Sequence, residues 1–383
     1  MVIMKIGIDA RFYGEAGPGR YAKSITEHLE KLDQKNDYVI FLRRKGYEAY
    51  FPKNPRFKKV LADYKWYTWE EQIGFLFLLL KQRLDLLYVP HFNIPVFYPG
   101  KIVTAIPDVI MHTFSTEKGT TLFKPYFKFK KLMYKLVVFW AVIRSQKVIV
   151  PSNDVMGDFI KLYPSVSKDK FVLAYEGVDP TIMDMVLDPK EVLEKYSIKN
   201  PFILYVSSMY EHKNVSRLVK AFELVVKEYG FLGQLVLVGK KDKFSEKIFE
   251  EVKLLGMQND ILMPGMNAYV SDAEVTALRK SAVLFVFPSL KEGFSLTPLE
   301  SQQLGLPCVI SDIPCHKEVY GDSVYYFDPT SIKDIAEKIS FVLKDGVVRN
   351  SLIKKSYEHV KKYSWVDTAN ITLDIFNQLL KNT

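Results

Sequence analysis

Short runs of Val, Ile, Leu and Phe recur along the chain, and between them lie longer stretches in which apolar residues return every three or four positions. The short runs predict strands at 5–9, 38–42, 86–89, 102–106 and 147–151, then at 202–207, 234–238, 261–264, 283–288, 307–311 and 324–327. They are continuous rather than alternating, the pattern of strands buried on both faces. The longer stretches predict amphipathic helices: in 214–229, Val215, Leu218, Val219, Phe222, Val225 and Val226 fall on one helical face. Strands alternating with helices predict parallel sheets with crossover helices. The series occurs twice, which predicts two doubly wound α/β domains, with a boundary between Asp179 and Asn200 where polar residues and Pro180, Pro189 and Pro201 cluster. In open sheets of this kind ligands bind beyond the carboxyl ends of the strands, so the expected site is the cleft between the domains.

Composition narrows the classes. The 383 residues are 48% hydrophobic and 25% charged, a globular rather than a disordered or fibrous balance. The longest uncharged apolar runs, 73–80 and 136–143, are far short of the roughly 20 residues a membrane span needs. The first residues become charged too early for a signal peptide. Two cysteines, Cys308 and Cys315, supply neither a disulfide framework nor a paired metal motif, so a reducing cytoplasm is expected. The net charge of +9 is unevenly placed: residues 1–180 carry 28 Lys and Arg against 18 Asp and Glu, and the remainder is nearly neutral. Seven of these cations lie between Arg43 and Lys59. A second block, 123–135, interleaves Lys124, Lys128, Lys130, Lys131 and Lys135 with five aromatics.

The chemistry concentrates in three loops. In 288–307 a buried strand runs into a loop carrying Glu292. Thr297 reads as a helix N-cap, Pro298 as the first helical residue, Glu300 as the capping-box acid and Gly305 as the stop. A helix start aimed into the cleft favours anions, phosphates above all. In 204–214 a strand end leads through His212 and Lys213 to a helix capped by Asn214. After the first strand, Gly14, Gly17 and Gly19 do not match a dinucleotide fingerprint, and the bland reading is a turn before a helix near Arg20.

Glu292-Gly-Phe-Ser-Leu-Thr-Pro-Leu-Glu300, with Gly305-Leu-Pro307 after it, closely resembles the E-x7-E signature of family 4 retaining glycosyltransferases. Residues 204–214 resemble that family's Y-V-G-x-x-x-x-R-K-N, and 8–21 its I-D-A-R and G-G-I-G-R-Y elements. Residues 311–322 resemble its stretch ending in P-E-V-x-G-D. The resemblance implies the GT-B fold, two Rossmann-like domains facing across a cleft: an acceptor domain (1–180), a donor domain (181–365), and a last helix (366–383) crossing back. It implies that Glu292 contacts the donor sugar, that Lys213 clamps the diphosphate, and that Glu300 accepts hydrogen bonds from the ribose. Backbone groups of Gly293, Phe294, Ser295 and Leu296, with Ser208, His212, Gly17 and Gly19, would complete the donor site. Arg20, His91, Asp108 and His112 would border the acceptor. The departures are mild at Ser295 and Thr297 and larger in the second loop, with Ser207 where the family has Gly, His212 where it has Arg, and Ser208 where some relatives place a second Arg, which implies a phosphate clamp that is either weaker or shared with His212. Pro107 also stands where the family has a His before Asp108, a role that is then either missing or filled by His112.

The resemblance further implies transfer of a hexose with retention, with no metal or cofactor, from GDP-mannose first and a UDP-sugar second. The acceptor would be a saccharide or a polyprenyl-diphosphate-linked saccharide in the synthesis of cell-surface polysaccharide. The lysine- and aromatic-rich block fits an anionic membrane surface, which predicts a cytoplasmic or peripheral inner-membrane location. Two other readings compete. A sugar-nucleotide epimerase on the same fold would need a stronger acid–base set. A nucleic-acid binder would use the basic and aromatic blocks for stacking and leave the two glutamates without a purpose.

Overall fold

The computed structural model describes residues 3–15, 17–114 and 124–381, without the side chains of residues 18, 113, 124–127, 180, 380 and 381. Of the second basic block, Phe123 and the side chains of Lys124, Pro125, Tyr126 and Phe127 therefore lie outside the described residues. The chain divides into two compact units, one of residues 1–113, 121–177 and 363–383, the other of 114–120 and 178–362.

The first unit is a seven-stranded sheet in the order β3-β2-β1-β4-β5-β6-β7. Its strands are β1 (Lys5–Asp9), β2 (Asp37–Leu42), β3 (Phe57–Leu61), β4 (Leu86–Val89), β5 (Ile102–Ala105), β6 (Lys147–Val150) and β7 (Phe171–Leu173). The second is a six-stranded sheet in the order β10-β9-β8-β11-β12-β13. It comprises β8 (Phe202–Val206), β9 (Gln234–Val238), β10 (Ile261–Leu262), β11 (Leu284–Phe287), β12 (Cys308–Ser311) and β13 (Tyr325–Phe327). Neighbours in both sheets run parallel. The central strands β4, β5, β9, β11 and β12 are buried along their whole length, which is why their sequences are unbroken apolar runs. Both sheets reverse direction once, β1 meeting β4 and β8 meeting β11, and loops leaving the carboxyl ends at such a point are the ligand-binding place of the fold.

Two strands depart from the sequence reading. β3 and β7 are edge strands. β3 reads Phe-Lys-Lys-Val-Leu and lies inside the first basic block, so polarity conceals it; β7 has only three residues. Much of that block is also tied down rather than solvated. The Lys59 ammonium donates to the carbonyls of Tyr47 and Tyr50, Arg56 pairs with Asp37, and Arg43 pairs with Asp63 and lies over the Trp66 ring. The first helix begins at Pro18, two residues before Arg20.

The C-terminal helix Trp365–Lys381 is part of the first unit and packs on the Pro18–Leu32 helix. Tyr21 meets Trp365 edge-on with ring centres 5.4 Å apart, Phe376 meets Tyr88 at 5.4 Å, and Lys101 donates to the carbonyl of Leu379 at 3.0 Å. Gly177 is required at this contact, because a Cβ there would lie 2.1 Å from the Trp365 nitrogen.

Beneath the loop after β1, a buried charge cluster holds the first unit together. Arg11 is 2% exposed and donates to both carboxylate oxygens of Asp9 and, at 2.7 Å, to Glu71. Glu71 also accepts from Asn93 and from the Tyr67 N–H. Burial pulls the guanidinium pKa down, but Asp9 and Glu71 more than offset this and raise it. Removing one partner strands the others without water. Arg11→Leu is therefore expected to cost about 3–5 kcal/mol of stability, measurable by urea unfolding, whereas Arg56→Leu at the exposed Asp37 pair is expected to cost under about 1 kcal/mol.

Candidate active site at the carboxyl ends of β8 and β11

In the second unit the loops after the adjacent strands β8 and β11 carry the two groups the sequence singled out. The chain leaves β8, turns through Glu211–Lys213 and enters the Val215–Lys227 helix. The chain leaving β11 passes Glu292 and enters the Leu296–Gln303 helix. The structure brings the two loops together: the Lys213 ammonium donates to Glu292 at 2.6 Å, and both side chains are largely buried. Burial pushes the Glu292 carboxyl up, but the Lys213 charge and hydrogen bond outweigh it and hold Glu292 ionised below the usual range. An ammonium has three protons, so Lys213 can keep this carboxylate and still donate to a further anion.

Asn214 holds the arrangement from the predicted N-cap position, but not through a capping side chain. Its backbone is left-handed at φ 61° and its side chain makes no cap bond. The amide instead donates to the carbonyls of Pro288 at 3.0 Å and Pro329 at 2.8 Å, tying the ends of β11 and β13 to the start of the helix. Its oxygen accepts from Arg217.

Burial and the neighbouring Lys213 lower the His212 pKa to about 4, so that without an anion beside it the ring is neutral at physiological pH. Ser208, whose carbonyl accepts from the Tyr205 hydroxyl, is partly exposed.

The capping-box reading of Glu300 is also corrected. The helix begins at Leu296, ahead of Thr297, because Ser295 adopts the left-handed conformation at φ 78° and turns the chain into the helix early. The Thr297 hydroxyl caps nothing and has no partner. Glu300 lies one turn inside the helix and pairs with Arg279 at 2.5 Å, both buried. Arg279 is a residue the sequence reading missed. Only its place, late in the Asp272–Ser281 helix that feeds β11, marks it. Gly293 and Phe294 are buried, with Ser295 and Leu296 partly exposed. Gly305, at φ 72°, follows the end of this helix.

A third segment reaches under the loop. His316 is wholly buried on the Pro314–Tyr320 helix. Its Nδ1 lies 2.9 Å from the Ser311 carbonyl, and the Ser311 hydroxyl is already committed to the carbonyl of Ser289. Nδ1 therefore carries the proton, and Nε2 accepts from the Ser295 hydroxyl at 3.3 Å. Burial lowers the His316 pKa to about 4. The motif around His316 was visible in the sequence, but nothing there marked the residue.

Gly17 and Gly19, assigned to the donor site, and the acceptor-side residues Arg20, His91, Asp108 and His112 all lie in the first unit. Gly17 caps the Pro18–Leu32 helix at φ 60°, and Gly19 packs so that a Cβ would sit 2.2 Å from the Phe12 carbonyl. Arg20 is exposed on the first turn. His91 is buried against Phe12 and Phe92, accepts from the Asn93 N–H, and is held neutral with a pKa of about 3 by burial and Arg11. Asp108 accepts from the N–H of Ile110, and His112 lies on the short helix after it, its ring against Tyr134. Burial and Lys135 lower the His112 pKa. Glu176, which the sequence reading treated as architectural, is buried just beyond β7, and burial with the Asp108 charge raises its carboxyl to about 7. Among the described residues no group of three or more His, Cys, Asp or Glu is placed to hold a metal ion.

Comparison with known proteins gives this geometry a context. Residues 190–359 match the family model described as Glycosyl transferases group 1. Over 191 residues, half of this chain, the sequence is 30% identical to the serotype-specific mannosyltransferase WbdA of Escherichia coli, a match that spans only 23% of that relative's length. It is 22% identical over 366 residues to the O-antigen chain mannosyltransferase RfbU of Salmonella typhimurium, covering 91% of this chain and 95% of the relative. Among solved structures, Anabaena Alr3699/HepE in complex with UDP-glucose superposes with a TM-score of 0.74 at 14% identity, covering 98% of this chain and all of that one.

His212 and His316 yield a pH prediction. Both bind protons more weakly folded than at the ordinary value of 6.5. Between pH 6.5 and about 4 the unfolded chain holds more protons, so stability present above 6.5 is lost as the pH falls through this window. Thermal unfolding followed by circular dichroism should show a falling Tm over that range and a shallower fall in His316→Leu. A flat profile would contradict the neutral assignment.

Proposed function

We propose that this protein, whose residues 190–359 match the glycosyl transferases group 1 family model and whose fold is that of GT-B structures, transfers a hexose, with retention, from a nucleotide sugar to a saccharide or lipid-linked saccharide. The observation that carries this reading is the Lys213–Glu292 ion pair where β8 meets β11, one helical start away from Glu300. In the proposed reaction the bond between the anomeric carbon and the diphosphate oxygen breaks while the acceptor oxygen bonds to the same face. The acceptor proton passes to the departing diphosphate. Lys213 and the helix-start N–H groups stabilise the charge that develops there. Glu292 orients the sugar, and Glu300, fixed by Arg279, receives the ribose hydroxyls.

The mannosyltransferase relatives favour GDP-mannose as donor, and the UDP-glucose complex of the structural neighbour keeps a UDP-sugar second. A further relative, from Campylobacter jejuni and 26% identical over 187 residues, carries an undecaprenol-diphosphate substrate in its name, which supports a lipid-linked acceptor. The surface of the first unit suits such an acceptor. Along the Lys124–Arg144 helix, Phe129, Leu132, Leu136, Phe139, Trp140 and Ile143 are exposed on the side opposite the buried Val138, Ala141 and Val142, and Lys128, Lys130 and Lys135 are exposed along it. We place an anionic bilayer against this face. Among the described residues no helix is long and apolar enough to cross a membrane.

Two measurements test this. Thermal shift against GDP, UDP, ADP and their sugars should give a GDP or UDP response, followed by mannose transfer that falls by about a hundredfold or more in Glu292→Gln while Glu300→Gln mainly raises the donor KM. No response to any nucleotide would end the reading. For the membrane, sedimentation with anionic vesicles should exceed that with neutral ones and be lost when Lys128, Lys130 and Lys131 become Glu; equal binding to both would remove the bilayer.

A further inference from the structure

The loop 292–295 enters its helix through a residue whose backbone conformation disfavours it. Ser295 sits at φ 78° and ψ 83°, a region unfavourable for a side-chain-bearing residue and one that glycine occupies freely. Such a conformation persists only when its surroundings enforce it. Here the enforcement comes from one element, the Pro314–Tyr320 helix. Cys315 directs its thiol to the carbonyl of Phe294 at 3.7 Å, Tyr320 donates its hydroxyl to the carbonyl of Ser295, and His316 accepts from the Ser295 hydroxyl. His316 is in turn locked through Nδ1 to Ser311 at the end of β12.

The consequence follows from peptide geometry. In a planar trans peptide the C=O and the next N–H point in opposite directions. With the carbonyls of Phe294 and Ser295 both drawn toward the 314–320 helix, the N–H groups of Ser295 and Leu296 face away from it. Successive N–H groups turned to one side by a left-handed residue beside a right-handed one form a concavity that receives anions.

We propose that His316 and Tyr320 are positioning residues: they hold Ser295 in the left-handed conformation and so present the Ser295 and Leu296 N–H groups to the diphosphate side of the donor. A serine would then be workable at this position because the clamp beneath it supplies what glycine has by nature. This rests on the donor-site reading above. It extends that reading to a specific dependence of residue 295 on residue 316.

A double-mutant cycle decides it. Donor KM and kcat are measured for the wild type, His316→Leu, Ser295→Gly and the double variant, with urea midpoints for the same four proteins. If the clamp serves Ser295, His316→Leu raises the donor KM at least tenfold in the serine background and less than threefold in the Ser295→Gly background, with kcat changed less than KM. Its effect on the urea midpoint should likewise shrink in the Ser295→Gly background. His316→Gln, which keeps a polar group at the site, should recover part of the KM. Equal fold-changes in both backgrounds would overturn the proposal and leave His316 as core packing. If the wild type turns over no donor, the functional reading fails, and the urea cycle alone still decides the clamp: coupled midpoints support it and additive ones refute it.

Discussion

The second unit depends on a buried ion pair that would be unfavourable almost anywhere else. Taking Lys213 and Glu292 out of water carries a desolvation penalty of several kcal/mol per ion, and their attraction repays it only when geometry and further hydrogen bonds are good. Apolar residues of similar volume would hold the two loops at least as well. What an apolar pair cannot do is present a cation with spare donors beside a fixed carboxylate at the place where the strand order reverses. Much of the surrounding structure maintains that pair. Asn214 ties three chain segments at its base.

The same logic separates the two glutamates of the signature. Glu292 is paired with a lysine on a neighbouring loop, Glu300 with an arginine on the preceding helix. An ammonium is a compact charge that can be shared, whereas a guanidinium is a rigid fork that fixes orientation. The Lys213 pair therefore leaves donors free beside Glu292, whereas the Arg279 pair fixes the orientation of Glu300.

The fold was largely legible. Eleven of the thirteen strands follow from unbroken apolar runs, because burial on both faces leaves a signal that position along the chain cannot disguise. The two that escaped, β3 and β7, are sheet edges, where one side needs no apolar cover. Site residues were legible where a whole motif carried them, as with Glu292, Lys213 and Glu300. Their partners were not. Arg279, His316 and Glu176 act through contacts with residues more than twenty positions away or from separate strands, and an isolated Arg, His or Glu has no periodicity to betray it. Local capping signals misled for a related reason: Thr-Pro-Leu-Glu has the spacing of a capping box, but tertiary contacts at Ser295 start the helix before that box can form.

The edges β3, β7, β10 and β13 have a consequence of their own. Parallel sheets with apolar strands invite a second chain to add itself to any open, flat border, and newly made chains meet each other in that state. Here three of the four borders are only two or three residues long. The fourth, β3, is five residues long and carries Lys58 and Lys59. Charge on a free border is one of the ways sheets avoid edge-to-edge pairing, and the exposed Lys58 puts a charge on the longest of these four.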